Sequence, residues 1–448
     1  MDICPYNLLL TDFSIQRYIF RRSYSITQKR IISLDSKYKI LIAGAGPAGM
    51  ATSMILSKNK IRHMIIEKQI FPRDKICGDA LSGKVVSELN KIDPAFIKEI
   101  AVNTNDNSGS YGVRFYSPQG KMLDVPFSNN PEKLKHAPGF ISPRLKFDNF
   151  LFSKADPEFA DIRQNTSIEN IIRKNNRLQV TINKNGQISE DEFDIVVGAE
   201  GDRSIVGKEL SGDKKENEHY CAGLRVYYEN VSDSHPDNFI ELHFLKELLP
   251  GYFWIFPMND GRVNVGIGML SSYVSKRKVN LKKSLEEIIA SHPTISKRFK
   301  NAKAITPIQG WGLPLGSVKR KISGSNFLLV GDAGSLIDPF TGEGIGNALV
   351  SGRIAGETIV KAMAAERFDS EFLYSYHKNV YSQLESEINL SHKMQKLARY
   401  ETLFNFVVNK AIRNQTLRET ITCMFEDLDI RARLKKPSFY FKLLFNKP

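Results

Sequence analysis

Tyr38-Lys39-Ile40-Leu41-Ile42-Ala43-Gly44-Ala45-Gly46-Pro47-Ala48-Gly49 runs on through residues 50–59 to His63-Met64-Ile65-Ile66-Glu67. The order is apolar strand, glycine turn, helix-forming stretch, apolar strand, acid. That context turns a G-x-G-x-x-G match into a dinucleotide-binding signature. Gly44 permits a tight turn, Gly46 lets backbone approach a pyrophosphate, and Gly49 allows a helix to pack close on a strand. The helix N-terminus, with Pro47 and Ala48 in its first turn, faces the anion. Glu67, 18 residues beyond Gly49, is placed to accept hydrogen bonds from an adenosine ribose.

Working outward, residues 111–127 alternate as a hairpin about Ser117-Pro118-Gln119-Gly120. Strands are expected at 178–182 and 193–197, around a connection at 183–191, and the second runs into Gly198-Ala199-Glu200-Gly201-Asp202-Arg203-Ser204. Residues 222–269 are rich in β-branched and aromatic positions and predict a mostly antiparallel sheet distinct from the dinucleotide fold. An apolar strand at 327–331 enters Gly331-Asp332-Ala333-Gly334, a second glycine turn follows at Gly342-Glu343-Gly344-Ile345-Gly346, and a long helix is expected from about 347 to 365. After Phe368 the pattern is helical and amphipathic.

These segments predict an α/β protein: a Rossmann-type domain interleaved with an antiparallel β-sheet domain, plus C-terminal helices. The expected division places 38–104, 139–220 and 324–365 in the nucleotide-binding part, and 105–138 and 221–323 in the sheet part. Residues 366–448 form the helical region. Residues 1–37 are expected to be an extension outside the fold: a disordered arm, residues ahead of the true start, or an organelle-type leader.

The 448 residues give room for two or three cores. The formal charge of +14 first points to nucleic acid or an anionic surface. Its location argues otherwise. Residues 1–40 carry a net +4 and residues 431–448 a net +6, leaving the body near balance. A nucleic-acid protein would carry its basic stripe on the folded body, so that class is set aside. Cys4, Cys77, Cys221 and Cys423 are scattered, and no His or Cys falls at ligand spacing. A disulfide framework, a zinc site and an iron–sulfur cluster are therefore not expected, metal ligands are none, and the cytoplasm is the default compartment. No run of about 18 uncharged apolar residues predicts a membrane span. Near the C-terminus, Lys435-Lys436-Pro437-Ser438-Phe439-Tyr440-Phe441-Lys442-Leu443-Leu444-Phe445 mixes cations and aromatics. It reads either as a self-packed tail or as a peripheral membrane contact.

Gly44–Gly49 with Glu67, the segment 194–203 and Val330-Gly331-Asp332-Ala333 together resemble the three FAD fingerprints of the flavoprotein monooxygenase superfamily. Glu200 stands where the second fingerprint usually has Asp. The resemblance implies FAD as cofactor, with Asp332 against the ribityl chain, backbone of Gly344 and Ile345 near the flavin ring and pyrophosphate, and Arg144 near the ribityl–phosphate region. It also places Ile168 at the cofactor. Lys75-Ile76-Cys77-Gly78-Asp79-Ala80 resembles the cysteine–glycine segment that geranylgeranyl reductases hold over the isoalloxazine, making Cys77 and Gly78 flavin neighbours and Cys77 a candidate catalytic residue. Tyr252, Trp254, Phe256 and Pro257 in Tyr252-Phe253-Trp254-Ile255-Phe256-Pro257 resemble that family's Y-x-W-x-F-P wall of the isoprenoid cavity. The family's leading Pro is here Leu249, with Pro250 one residue later.

The resemblance implies an FAD-dependent oxidoreductase that reduces C=C bonds of an isoprenoid or prenyl-lipid chain, with NAD(P)H or a ferredoxin-like donor as reductant. Two alternatives stay open: an FAD-dependent monooxygenase acting on an aromatic or lipid substrate, and a non-catalytic FAD- and lipid-binding protein. A halogenase fits less well, because its motif is W-x-W-x-I-P and positions 252 and 256 here are Tyr and Phe.

Overall fold

The computed structural model describes residues 32–33, 39–128, 133–212, 214–414 and 418. The extension expected at 1–37, apart from the short strand Ile32–Ser33, and the basic aromatic segment at 435–445 lie outside these residues.

The opening stretch forms strand Ile40–Ala43, helix Pro47–Lys58 and strand His63–Ile66. Both strands are buried throughout, as expected for a sheet covered on both faces. Proline at the first turn suits the helix because that N–H has no intrahelical partner. These strands lie at the centre of a six-stranded sheet. Ile40–Ala43 pairs in parallel with Ile195–Gly198 on one side and His63–Ile66 on the other. Phe327–Leu329 and Ala160–Arg163 extend the parallel array, and Ser323–Gly324 closes one edge antiparallel. The helix Ile345–Ala365 packs on Pro47–Lys58, where Gly352 lies against the Ala48 carbonyl and Gly356 against Ile55.

An eight-stranded sheet faces this unit. It draws its strands from 112–126 and from 220–314. The pairing is antiparallel except where Ile240–His243 meets Gly112–Tyr116 in parallel. That parallel pair seats the hairpin Gly112–Tyr116/Met122–Pro126 on the edge of the sheet. A smaller sheet of Ala80–Leu81, Gly139–Ile141 and Ser108–Ser110 sits at the crossover between the two parts.

Three local expectations change. The segment 183–191 is mostly strand: Arg177–Lys184 turns at Asn185–Gly186 directly into Gln187–Phe193. The expected strand 193–197 is divided at Asp194, where the chain passes from this antiparallel ladder to the parallel strand Ile195–Gly198. Within 221–323, helices Ser271–Arg277 and Leu281–Ser291 follow the sheet, and Leu285 and Ile288 fill its outer core. Helices Ser370–Leu397 and Glu401–Arg413 end the described chain.

Candidate functional site

The glycine turn has the geometry a dinucleotide needs. Gly44 sits at φ +102°, and a Cβ there would fall on the Ala199 carbonyl; a Cβ at Gly49 would fall on the Gly44 carbonyl. Gly46 is open, with nothing nearer than Arg73 Nη2 at 3.6 Å from a would-be Cβ. Glu67 is buried at the end of its strand, taking the Ala45 N–H at 2.9 Å on one oxygen and the Gln69 N–H at 2.9 Å on the other. The Thr166 N–H bonds the Glu67 carbonyl at 2.9 Å, which carries Ile168, two residues on, past the acid end. Glu200 turns away from this cradle. It caps its own loop through the Ser204 hydroxyl and the N–H groups of Ile205 and Val206, and burial pushes its carboxyl above the usual range.

The cradle leads into a cavity of about 210 Å³ between the two sheets. Pro47, Cys77, Gly78, Arg144, Asp332, Gly344 and Ile345 line one side, and Tyr252, Trp254 and Phe256 line the other. The alternation of the Tyr252–Pro257 strand explains the second set, since residues two apart share a face. Pro257 has the opposite parity and is buried beside Val263, so it does not join the wall. Gly44, Gly46, Ala48, Gly49, Glu67 and Ile168 likewise lie outside the cavity lining. Leu242, Phe340, Leu270 and Leu313, none readable as site residues beforehand, complete the apolar surface.

The cysteine–glycine segment is held by a polar clamp. Asp79 is fully buried at φ +67°. Its Oδ2 accepts from the Tyr227 hydroxyl and from Asn264 Nδ2 at 2.7 Å. Asn264 Nδ2 also donates to the Cys77 carbonyl at 2.8 Å, while its Oδ1 accepts from Trp254 Nε1 at 2.9 Å. One side-chain amide therefore joins the loop over the cradle to the aromatic wall. Gly78 is confined between them: a Cβ there would stand 2.8 Å from the Phe256 ring. Burial raises the Asp79 carboxyl to about 6, opposed by its hydrogen bonds and by Arg225.

Charges around the cradle are ordered by close pairs. Asp148 is buried, takes both Nε and Nη2 of Arg144, and receives Arg73 Nη1 at 2.6 Å. Burial works against the Arg144 charge, but Asp148 more than offsets it and holds the guanidinium firmly protonated. The same guanidinium reaches the Cys77 side chain. Lys75 Nζ meets Asp332 Oδ2 at 2.7 Å, tying the loop to the glycine turn at 331–334. Burial pushes the Cys221 thiol up to about 12, and the Tyr252 hydroxyl, also raised by burial, donates to the Thr341 carbonyl. Among the described residues no group of His, Cys, Asp and Glu could hold a metal ion.

Residues 37–380 match the family described as "FAD binding domain". The glycine cradle, the acid at the second strand and the open face at Gly46 fit FAD. Among curated relatives, the digeranylgeranylglycerophospholipid reductase of Thermoplasma acidophilum is 30% identical over 355 residues, spanning 78% of this chain and 84% of the relative. The reductase of the same name from Methanococcus vannielii is 28% identical over 426 residues, 92% of this chain and 99% of the relative. Among solved structures, a geranylgeranyl bacteriochlorophyll reductase-like protein from Thermoplasma acidophilum superposes with a TM-score of 0.73 at 25% identity, covering 89% and 98% of the two chains. The flavin-dependent brominase Bmp2 (triple mutant) shares the fold, with a TM-score of 0.71 at 17% identity and coverage of 90% and 99%. The chain therefore belongs to the FAD binding domain family and, within it, to the geranylgeranyl reductase family of FAD-dependent oxidoreductases.

Proposed function

We propose that this protein reduces C=C bonds in the isoprenoid chain of a prenyl lipid, taking electrons from NAD(P)H or a ferredoxin-like donor. The observation that carries this is the cavity: one apolar, aromatic-lined space joins the cysteine–glycine loop over the cradle to the Tyr252, Trp254 and Phe256 wall. When bound and reduced by the electron donor, FAD would supply a hydride to one alkene carbon and be re-oxidised, with a proton completing the other carbon. The chain's own part is to hold the substrate and exclude water. Gly44, Gly46, Pro47, Ala48, Gly49 and Glu67, with Asp332, Gly344, Ile345 and Arg144, would hold the cofactor. The clamp of Asp79, Asn264 and Tyr227 fixes Cys77 and Gly78 on the cavity wall, where they would border the bound cofactor, so that the isolated double bond would be reached by positioning rather than by activation. The apolar lining keeps water from the reduced cofactor.

No described helix is long and apolar enough to cross a membrane. A peripheral contact would suit a lipid substrate, and Tyr400, Leu403 and Phe406, 45–65% exposed beside or on the Glu401–Arg413 helix, support that reading.

The test is stoichiometric. The FAD-loaded protein, reduced chemically under argon, is mixed with geranylgeranyl diphosphate and followed by flavin absorbance. Re-oxidation proportional to added lipid supports the proposal. Re-oxidation only on admission of air contradicts it: with an oxygenated lipid as product it favours the monooxygenase reading, and with the lipid unchanged it favours a carrier.

A further inference from the structure

Two buried donors on the cavity wall have no hydrogen-bond partner among the described residues: Nε of Arg225 and Nε1 of Trp311. Both residues line the cavity, and Arg225 is 1% exposed. A buried N–H left unpaired is costly, and that cost is relieved when a ligand supplies the acceptor.

Their placement follows from strand register. Gly223 pairs with Trp311 and Arg225 with Gln309, so the two side chains are diagonal neighbours on one face. Gly223, directly opposite Trp311, contributes no side chain, and the Leu313 side chain packs against it, 3.1 Å from where a Cβ would stand. The Arg225 guanidinium lies 4.3 Å over the Tyr227 ring, and Nη2 is held by Asp74 Oδ2 at 2.5 Å, which leaves Nε directed elsewhere. Asp74 itself is 42% exposed. The strand Gln309–Pro314 passes from exposed residues to buried ones, so this corner of the cavity is near the surface. There Arg203, exposed, stands 5.5 Å over the Trp311 ring. The other charged wall is acidic: Asp338 and Glu343 line the cavity, with Lys84 and Glu387 behind them.

We propose that Arg225 and Trp311 form the subsite for the phosphate oxygens on the head of the lipid substrate. The inference rests on the cavity being a prenyl-lipid site. It adds a direction to it: the head sits at the Trp311 corner, and the tail runs past Tyr252, Trp254, Leu242 and Phe340. At that corner Arg225 keeps its Asp74 partner on Nη2, so an acceptor there would be met by the uncommitted Nε, by Trp311 Nε1 and by the exposed Arg203, whereas the opposite wall presents Asp338 and Glu343.

The experiment titrates the full-length, FAD-loaded protein with geranylgeranyl diphosphate and, separately, with geranylgeraniol, which has the same tail and no phosphate. Binding is read calorimetrically for wild type, Trp311→Phe and Arg225→Lys. Each variant is expected to bind the diphosphate about tenfold more weakly while the alcohol stays within about twofold. Equal weakening of both ligands means that the two residues only support the wall, and overturns the subsite. Weaker binding of NADPH with lipid binding unchanged assigns the oxyanion to the electron donor, and also overturns it. If neither lipid binds the wild-type protein, the prenyl-lipid reading itself has failed, and the subsite with it.

Discussion

Asp79 is the residue on which the cavity's geometry depends. Its carboxylate is buried in a left-handed turn that an L-residue adopts at a cost, and it is retained there by Tyr227 and Asn264. The shift to about 6 has a definite consequence for stability. The folded pKa lies above the ordinary 3.8, so between roughly pH 4 and 6 the native state binds more protons than the unfolded chain. The stability contributed by this group is present in full below pH 4 and is lost as pH rises through 6. Asp79→Asn should abolish that slope. The unfolding free energy of the variant relative to wild type should rise by up to about 3 kcal/mol between pH 4 and 7, measured by urea denaturation at each pH. A difference that stays flat with pH would show that Asp79 is not the titrating group. Asn264→Ala removes three partners at once, from the Cys77 carbonyl, Asp79 and Trp254. It should cost about 2–3 kcal/mol and slow anaerobic turnover at least tenfold with FAD still bound, which denaturation and stopped-flow absorbance can separate.

At the scale of elements, the helices Pro47–Lys58 and Ile345–Ala365 begin at the two glycine turns, so the closeness of the pair sets the distance between those turns. Gly352 makes that approach possible, because an added Cβ would fall on the Ala48 carbonyl and 2.9 Å from Ala51 Cβ. Gly352→Ala should destabilise the protein by about 1–3 kcal/mol and lower FAD affinity. Thermal melts with and without added FAD read both effects. A variant with unchanged affinity would mean that the helix spacing does not position the cradle. This pair also shows what the sequence could reveal. Turns that only glycine tolerates leave a mark at fixed spacing, and helices long enough to show a period leave another, so Gly44–Gly49, Glu67 and the 345–365 helix were readable directly. The connection expected at 183–191 was not, since Asn and Gly mark a turn without saying how tight it is. The Asp79 clamp was unreadable for a different reason: Tyr227 and Asn264 lie 148 and 185 residues away in sequence. On an antiparallel strand each reads as an ordinary polar alternation. Pro257 belongs to the motif but not to the wall, because a motif runs continuously in sequence whereas a strand gives only every second residue to one face.

At the scale of the molecule, the described residues form four sheets, and the two largest, a mostly parallel one carrying the glycine turns and a mostly antiparallel one carrying the aromatic wall, enclose the cavity. The formal charge of +14 misleads at this scale, because most of the excess lies in the two terminal stretches. The interior is apolar where a polyprenyl tail would lie, and its charged groups are mostly committed to partners, such as Lys75 to Asp332 and Arg144 to Asp148. Such an interior suits the addition of two hydrogens to a hydrocarbon chain. The mass of the lipid recovered from a single anaerobic turnover of the reduced, FAD-loaded protein tests this most directly. A gain of two hydrogens per double bond, matched to one flavin re-oxidised, is the expected result. A lipid recovered unchanged under argon but carrying an added oxygen atom after turnover in air would contradict it.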